Sequence, residues 1–495
     1  MKARNSRSTQ ASRMERLALL ATVLLVSGCT VGPNYHRPTA PAAPAFKETT
    51  VPVPPPNPAG GGWKQVAPND SAIRADWWEI YQDPQLDTLE KQVAVSNQTL
   101  KASYEQYMQA RAAVQYYRSQ YFPTVQVGPS ATRTRQSTNR PLYVPGSKTT
   151  YNDLFLQGQV SWEPDLWGNI RRAVESQRAT AQATAADLAN VDLSIRSELA
   201  TDYFELRGLD TQQRLLDTTV NQYQDYLALT QTRFKGGVAT DSDVALAQTQ
   251  LDQTRAQAID VGVARAQYEH AIATLTGVPA SSFSLPAAPL DLQLPQVPVG
   301  VPSQLLERRP DVAAAERRAD AANAQIGIAI AAYYPTISLT GTGGFESRNP
   351  GTLIQGPSSL WSLGGSAVEL LFDAGRRHAL TDEARDVYEQ NVANYRQTVL
   401  QAFQEVEDNL SGLRILNTES VAQQQAVNDA QRSLTVSTNR YKGGVTTYLE
   451  VITAQTTQLA NERTAADITT REFAASVQLI KALGGGWDTT KLPTP

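Results

Sequence analysis

Few side chains in this 495-residue chain could do chemistry, and their spacing suits no reaction. His36, His270 and His378 stand apart, with no paired histidine at metal-ligand spacing, and no side chain reads as an activated nucleophile. Gly146-Ser147-Lys148-Thr149 has the ending of a phosphate loop but lacks the upstream glycine that would cradle a phosphate. Met1, Met14 and Met108 are too few for a relay of soft metals. The sequence thus predicts no catalytic residue, no metal site and no bound cofactor. Thr240 with Asp243, and Thr447 with Glu450, have the Thr-x-x-acid spacing of a helix capping box, in which the carboxylate accepts backbone N–H groups. Cys29 is the single cysteine, so a disulfide within the chain is impossible.

The surroundings of Cys29 give it a role. Lys2, Arg4, Arg7, Arg13 and Arg16 precede an apolar core, Leu17 to Val26, too short to span a membrane as a mature helix. Residues 1–28 are therefore expected to be an export signal, with Met14 as an alternative start. The run Leu25-Val26-Ser27-Gly28-Cys29 resembles a bacterial lipobox, in which small residues admit the peptidase and the cysteine thiol receives the lipid. By the sorting rule for such lipoproteins, Thr30 rather than an aspartate in the next position points to the outer membrane. The proline-rich stretch Pro38 to Pro58 cannot build a helix or a central strand. It is either a spacer or a strap over the folded body, and the spacer reading suffices.

Composition narrows the partners. With 44 basic and 48 acidic residues the net charge is -4, and no basic run lies beyond the N-terminus, which argues against nucleic acid. Mean hydropathy is -0.36. The lack of any later apolar run of about 18 residues excludes a bundle of membrane-spanning helices. A membrane barrel stays open, because alternating strands leave little trace in hydropathy.

The chain is internally duplicated. Arg233-Phe234-Lys235-Gly236-Gly237-Val238-Ala239-Thr240 is echoed by Arg440-Tyr441-Lys442-Gly443-Gly444-Val445-Thr446-Thr447, and the match continues from Val244, Ala247, Gln248 and Thr249 onto Val451, Ala454, Gln455 and Thr456. Gly168 and Gly375 match at the same offset, and Tyr121-Phe122-Pro123 matches Tyr333-Tyr334-Pro335 at an offset five residues larger. Each copy reads as helix, strand pair, very long helix, tight turn and helix. Ile170 to Arg233 and Arg376 to Arg440 contain no proline and one glycine each, Gly208 and Gly412, which mark bends or close helix contacts. If continuous, each helix extends roughly 95 to 100 Å at 1.5 Å per residue. Leu188, Val191, Ile195, Leu199, Tyr203 and Leu206 recur at the spacings a packed helix seam requires.

The preceding segments alternate instead. Leu154, Leu156, Gly158, Val160 and Trp162 face away from Phe155, Gln157, Gln159, Ser161 and Glu163. Ile337, Leu339, Gly341, Gly343 and Phe345, and then Trp361, Leu363, Gly365 and Ala367, repeat the pattern, while Thr124 to Arg135 shows it most weakly. Four strands cannot close a barrel, and an open sheet edge in lipid leaves unsatisfied backbone groups that cost several kcal/mol each. Either subunits share the strands, with the polar face lining a wet lumen, or the sheet is a soluble sandwich. Export and lipidation favour sharing.

These residues resemble the TolC/OprM outer-membrane factors, in particular their lipoprotein branch, the NodT family, from Cys29 to Gly486. The specific stretches are Trp77-Trp78 with Asp83-Pro84 and Leu86; Arg309-Pro310-Asp311-Val312 with Ala315-Glu316-Arg317-Arg318; Tyr334-Pro335 through Gly341; and Leu371-Phe372-Asp373-Ala374-Gly375-Arg376-Arg377. The resemblance implies a mixed α and β membrane protein. Its homotrimer would pool four strands per chain into one transmembrane β-barrel, continued by a hollow α-helical barrel across the periplasm. It also implies a periplasmic adaptor (membrane fusion) protein and an inner-membrane pump of the RND type as partners. Residues 29–62 would form the lipidated N-terminal segment, 63–285 and 303–486 the two repeats, 286–302 a linker and 487–495 a tail. By the same resemblance Gly236, Gly237, Val238, Gly443, Gly444 and Val445 dock the adaptor, although helix reversal alone explains the glycines. Leu449, Glu450 and Thr453 would narrow the pore, with Glu450 left between a gate and a helix cap, and Asp243 read as a cap. The function expected is a passive exit duct for drugs or other small toxic compounds. A duct for one-step protein secretion and a non-conducting lipoprotein scaffold are the alternatives.

Overall fold

The computed structural model describes residues 30–41, 45–48, 76–297 and 308–493. The export signal, Cys29 and the boundaries expected at 62/63 and 302/303 lie outside them. The first repeat opens on a 3-10 turn, Trp77–Tyr81, and continues through α1 (Pro84–Ser96), α2 (Gln98–Ser119), β1 (Thr124–Arg135), β2 (Thr150–Trp162), α3 (Asn169–Lys235) and α4 (Asp241–Leu275). The second holds α5 (Pro310–Ala331), β3 (Thr336–Ser347), β4 (Ser359–Val368), α6 (Arg376–Lys442) and α7 (Tyr448–Ala482).

Matching helices have equal lengths. α2 and α5 each have 22 residues, α3 and α6 each 67, and α4 and α7 each 35. The long helices and return helices are displaced by 207 residues (376 less 169, and 448 less 241), whereas α2 to α5 and β1 to β3 are displaced by 212 (310 less 98, and 336 less 124). Both long helices start from a glycine in the left-handed region, Gly168 at φ 84° and Gly375 at φ 88°. A carboxylate just before each covers the free N–H groups of the first turn. Asp165 accepts from the amides of Ile170 and Arg171, and Asp373 from those of Gly375 and Arg377. Each is also paired with an arginine, Arg171 or Arg377.

The helices lie side by side in one layer. Near the sheet the order is α2-α3-α5-α6, and toward the turns it is α4-α3-α7-α6. The strands form one antiparallel sheet in the order β1-β2-β3-β4. One long side of the molecule therefore ends in β1, α2 and α4, and the other in β4 and α6. Strand register joins the alternating residues into two faces. Val127 pairs with Gly158, Gly158 with Gly343 and Gly343 with Trp361, which sets the apolar residues of all four strands on one side. Gln126, Gln159, Thr342 and Ser362 share the other.

Midway along the helices lies the main core. Trp77, Trp78 and Tyr81 are buried among Phe204 of α3 and Phe473, Val477 and Ile480 of α7. The Tyr81 hydroxyl meets that of Ser476, and Tyr203 donates to Asp83, which also caps α1. The Trp-Trp and Asp-Pro signature is thus a wedge that fixes two helices against each other. Arg309 likewise joins three elements, donating to Asp311, to Glu405 of α6 and to the carbonyl of Ala482 at the end of α7. Trp167 stacks on Tyr334 and donates to the Pro335 carbonyl at 2.9 Å, tying the two strand-to-helix junctions together.

The N-terminal segment is a strap where it is described, so the spacer expectation is corrected there. The Val31 amide donates to the Trp167 carbonyl, Arg172 donates to the carbonyls of Val31 and Gly32, and Tyr35 donates to Glu316. Arg396 donates to the Thr39 carbonyl, Phe46 is buried against Val406, Leu479 and Leu483, and Glu48 pairs with Arg414. The strap thus runs from the sheet end of α3 down along α6. Much of its polar grip comes from backbone amides and carbonyls, which need no side-chain pattern.

Gly208 is a close helix contact, because a Cβ there would collide with the Thr470 hydroxyl oxygen of α7. Gly412 has open space around it in the single chain. Gly208→Ala should destabilise the detergent-solubilised protein by about 1–3 kcal/mol through overpacking, read as a lowered Tm, and Thr470→Ala in the same chain should restore part of the loss. An unchanged Tm for Gly208→Ala would show that the two helices do not approach so closely.

Candidate functional site: the tips and the polar face

The far ends of the long helices are built by backbone geometry. The Val238 amide donates to the Arg233 carbonyl and the Gly237 amide to the Phe234 carbonyl. Val445 to Arg440 and Gly444 to Tyr441 repeat these bonds in the second copy. This is the Schellman arrangement, which needs a left-handed residue just past the helix end. Gly237 (φ 73°) and Gly444 (φ 74°) supply it. Gly236 and Gly443 are not left-handed, so helix reversal accounts for only the second glycine of each pair. Val238 and Val445 are 67% and 70% exposed, which leaves an apolar side chain bare at each tip.

Behind the tips, Tyr223, Leu227, Ala247, Leu251, Tyr441, Tyr448 and Val451 form a separate buried cluster. Burial pushes the Tyr448 hydroxyl well above its ordinary range, so it stays neutral. The Arg233 guanidinium lies 4.7 Å from the Tyr441 ring centroid and donates to the Lys442 carbonyl, and Tyr226 bonds to Thr438. These contacts clamp the two tips together. Between α3 and α6 runs a groove of about 680 Å³ lined by Gln222, Asp225, Tyr226, Leu434, Thr438 and Lys442.

The two Thr-x-x-acid sequences behave differently. Thr240 and Asp243 form a complete capping box. Thr447 makes no side-chain cap, and Glu450 instead pairs with Arg440 at 3.5 Å across the turn. The cap reading of Glu450 is therefore corrected. Spacing cannot distinguish the two, because Arg233 and Arg440 are identical in sequence and only their neighbours differ. Leu449, Glu450 and Thr453 lie on the exposed side of α7, opposite buried Tyr448 and Val451. Leu449 is 59% exposed, and the Thr453 hydroxyl donates back to the Leu449 carbonyl.

Other candidates stay apart. His378 pairs only with Asp382 one turn on, and among the described residues no cluster of histidine, cysteine and carboxylate could hold a metal. Gly146 to Thr149 lies in the connection between β1 and β2. Along the wall, burial next to Glu198 and Glu205 pushes Asp202 up to about 6, and burial together with Asp467 of α7 raises Glu205 as well. Periodicity could not reveal this carboxylate group, because the two helices that build it are far apart in sequence. No helix of the described residues is long and apolar enough to cross a membrane.

Comparison with known proteins fits this geometry. The family model for outer membrane efflux proteins matches residues 89–278 and 301–485. The probable efflux pump outer membrane protein TtgC of Pseudomonas putida is 29% identical over 477 residues, covering 95% of this chain and 95% of the relative. The pyoverdine export outer membrane protein OpmQ of Pseudomonas aeruginosa is 28% identical over 486 residues, 97% of this chain and 98% of its own. Among solved structures, the outer-membrane channel OprN superposes with a TM-score of 0.83 at 28% identity, covering 93% of this chain and 100% of that one.

The tip geometry separates folding from docking. Gly444→Ala forces an L side chain into the left-handed region, at a cost of about 1–2 kcal/mol, and should lower the Tm. Gly443→Ala needs no such conformation and should leave the stability within about 0.5 kcal/mol of the parent, with little change in Tm. If the tip surface receives a partner, Gly443→Ala should still reduce drug tolerance in cells, and full tolerance would remove Gly443 from the docking surface.

Proposed function

The chain belongs to the outer membrane efflux protein family, and from that premise we propose that three copies close one passive duct through the outer membrane and periplasm. It is the outer-membrane component of an efflux system. The observation that carries the trimer is the matching pair of open sides, with β1, α2 and α4 along one and β4 and α6 along the other. Three sheets of four strands make a closed barrel with no edge left in lipid. The apolar side then faces lipid and the side of Gln126, Gln159, Thr342 and Ser362 faces water.

The energy for export comes from an inner-membrane pump, coupled through a periplasmic adaptor that docks on Gly236 to Val238 and Gly443 to Val445. The bare valines and the groove between α3 and α6 support that reading. Acylated Cys29 anchors the chain, and the position of Thr30 supports this, because Thr30 occupies the space that a Cβ at Gly168 would need, at the junction of sheet and helix. The cargo is small compounds that cross a polar lumen, and no cofactor or reaction is involved. Leu449, Glu450 and Thr453 narrow the tip end of the duct, and the Arg440 pair partly neutralises Glu450 there.

Purified protein in a planar bilayer should give stepwise ion conductance, and none at all would favour a non-conducting scaffold. Glu450→Gln should shift reversal potentials away from cations, while Arg440→Gln, which frees the carboxylate, should shift them toward cations. Identical selectivity in all three proteins would remove Glu450 from the pore.

A further inference from the structure

The duplication carries information about the joint between subunits. β1 pairs with β2, and β3 with β4, in registers that coincide when residues of β1 are advanced by 212 and those of β2 by 207. Thr124 opposite Ser161 becomes Thr336 opposite Val368, and Gln126 opposite Gln159 becomes Ser338 opposite Ser366. The two hairpins are therefore one structural unit repeated. Within the chain these units are joined by β2 to β3, with Gln159 opposite Thr342. A closed ring of such units has only one further kind of joint, β4 to the β1 of the next subunit.

We infer that β4 pairs with the neighbouring subunit's β1 in the register of the internal β2–β3 joint, so that Ser366 lies opposite the neighbour's Ser130. This deepens the trimer reading and rests on it. The same displacements carry Gln159 to Ser366 and Thr342 to Ser130, and carry Gly158 and Gly343 to Gly365 and Ala131. Ser366 and Ser130 both belong to the polar face, and Gly365 and Ala131 to the apolar one, so the joint keeps both faces continuous. A slip by one residue would invert every side chain of the edge strand. In this register Trp361, 78% exposed in the single chain, comes opposite the neighbour's Arg135 at the loop end of the sheet. An indole beside a guanidinium there suits the lipid headgroup level.

The helices follow the same rule. Gly208 of α3 meets Thr470 of α7, and the corresponding residues across the joint are Ile415 of α6 and the neighbour's Val263 on α4. Both are bare in the single chain, 54% and 59% exposed.

Serine-to-cysteine changes test the register with little disturbance of the fold. In one chain Ser130 and Ser366 lie on opposite edge strands, roughly 14 Å apart across the sheet at about 4.8 Å per strand and roughly 26 Å apart along it at about 3.3 Å per residue, so a disulfide between them must join subunits. Ser130→Cys with Ser366→Cys, oxidised in isolated outer membranes, should give linked dimers and trimers on a non-reducing gel. Ser130→Cys with Ser362→Cys, displaced by roughly 13 Å along the strand at about 3.3 Å per residue, should give little. Each single variant controls for Cys29. Stronger linking by the displaced pair, or no linking by either pair in a protein that is trimeric by native mass, would overturn the register. A monomeric native mass would instead overturn the trimer itself.

Discussion

A strand at the edge of a sheet carries a row of backbone groups with no partner, and hydrocarbon offers none. That constraint governs the whole molecule. Its sheet has an apolar face suited to lipid, yet four strands leave β1 and β4 open. Burying such a sheet in a membrane requires another chain on each side. The helices below carry the same need in a weaker form, because water can satisfy a bare helix but not the edge of a strand in lipid. Val387, Leu400, Ile415 and Val436 are exposed along α6, the helix that ends the layer on the same open side as β4.

Duplication makes this economical. Each repeat supplies a hairpin, a long helix and a return helix of matching length, so a joint that works once within the chain works again between chains. Its departures from symmetry are local. Asp243 caps α4, whereas Glu450 turns to Arg440, and Tyr441 is buried under Arg233 while Phe234 is half-exposed. These differences gather at the tips. The central wedge of Trp77, Trp78 and Tyr81 has no counterpart among the described residues of the second repeat, where Arg309 holds the helices instead.

Most of the architecture was legible because long periodic elements announce themselves. Absence of proline over the long helices, alternation in the strands and the repeated Gly-Gly turns set the elements to within a few residues. Even the weak first strand, Thr124 to Arg135, falls where expected, since its partners in β2 determine its face. What stayed hidden were contacts between residues distant in sequence. The strap leaves no mark in the sequence because backbone carbonyls grip Arg172 and Arg396 without any pattern of side chains. Spacing alone permits a cap at Glu450, and only the fold brings Arg440 near. Gly208 and Gly412 looked alike, but only one has a helix pressed against it.

The central claim is that no single chain is complete in the membrane. Native mass spectrometry of protein released from outer membranes in mild detergent weighs the assembly directly. Three chains per particle, with no folded single-chain species at any dilution that preserves the sheet, is the result this account predicts. A stable, folded single chain extracted from the membrane would contradict it.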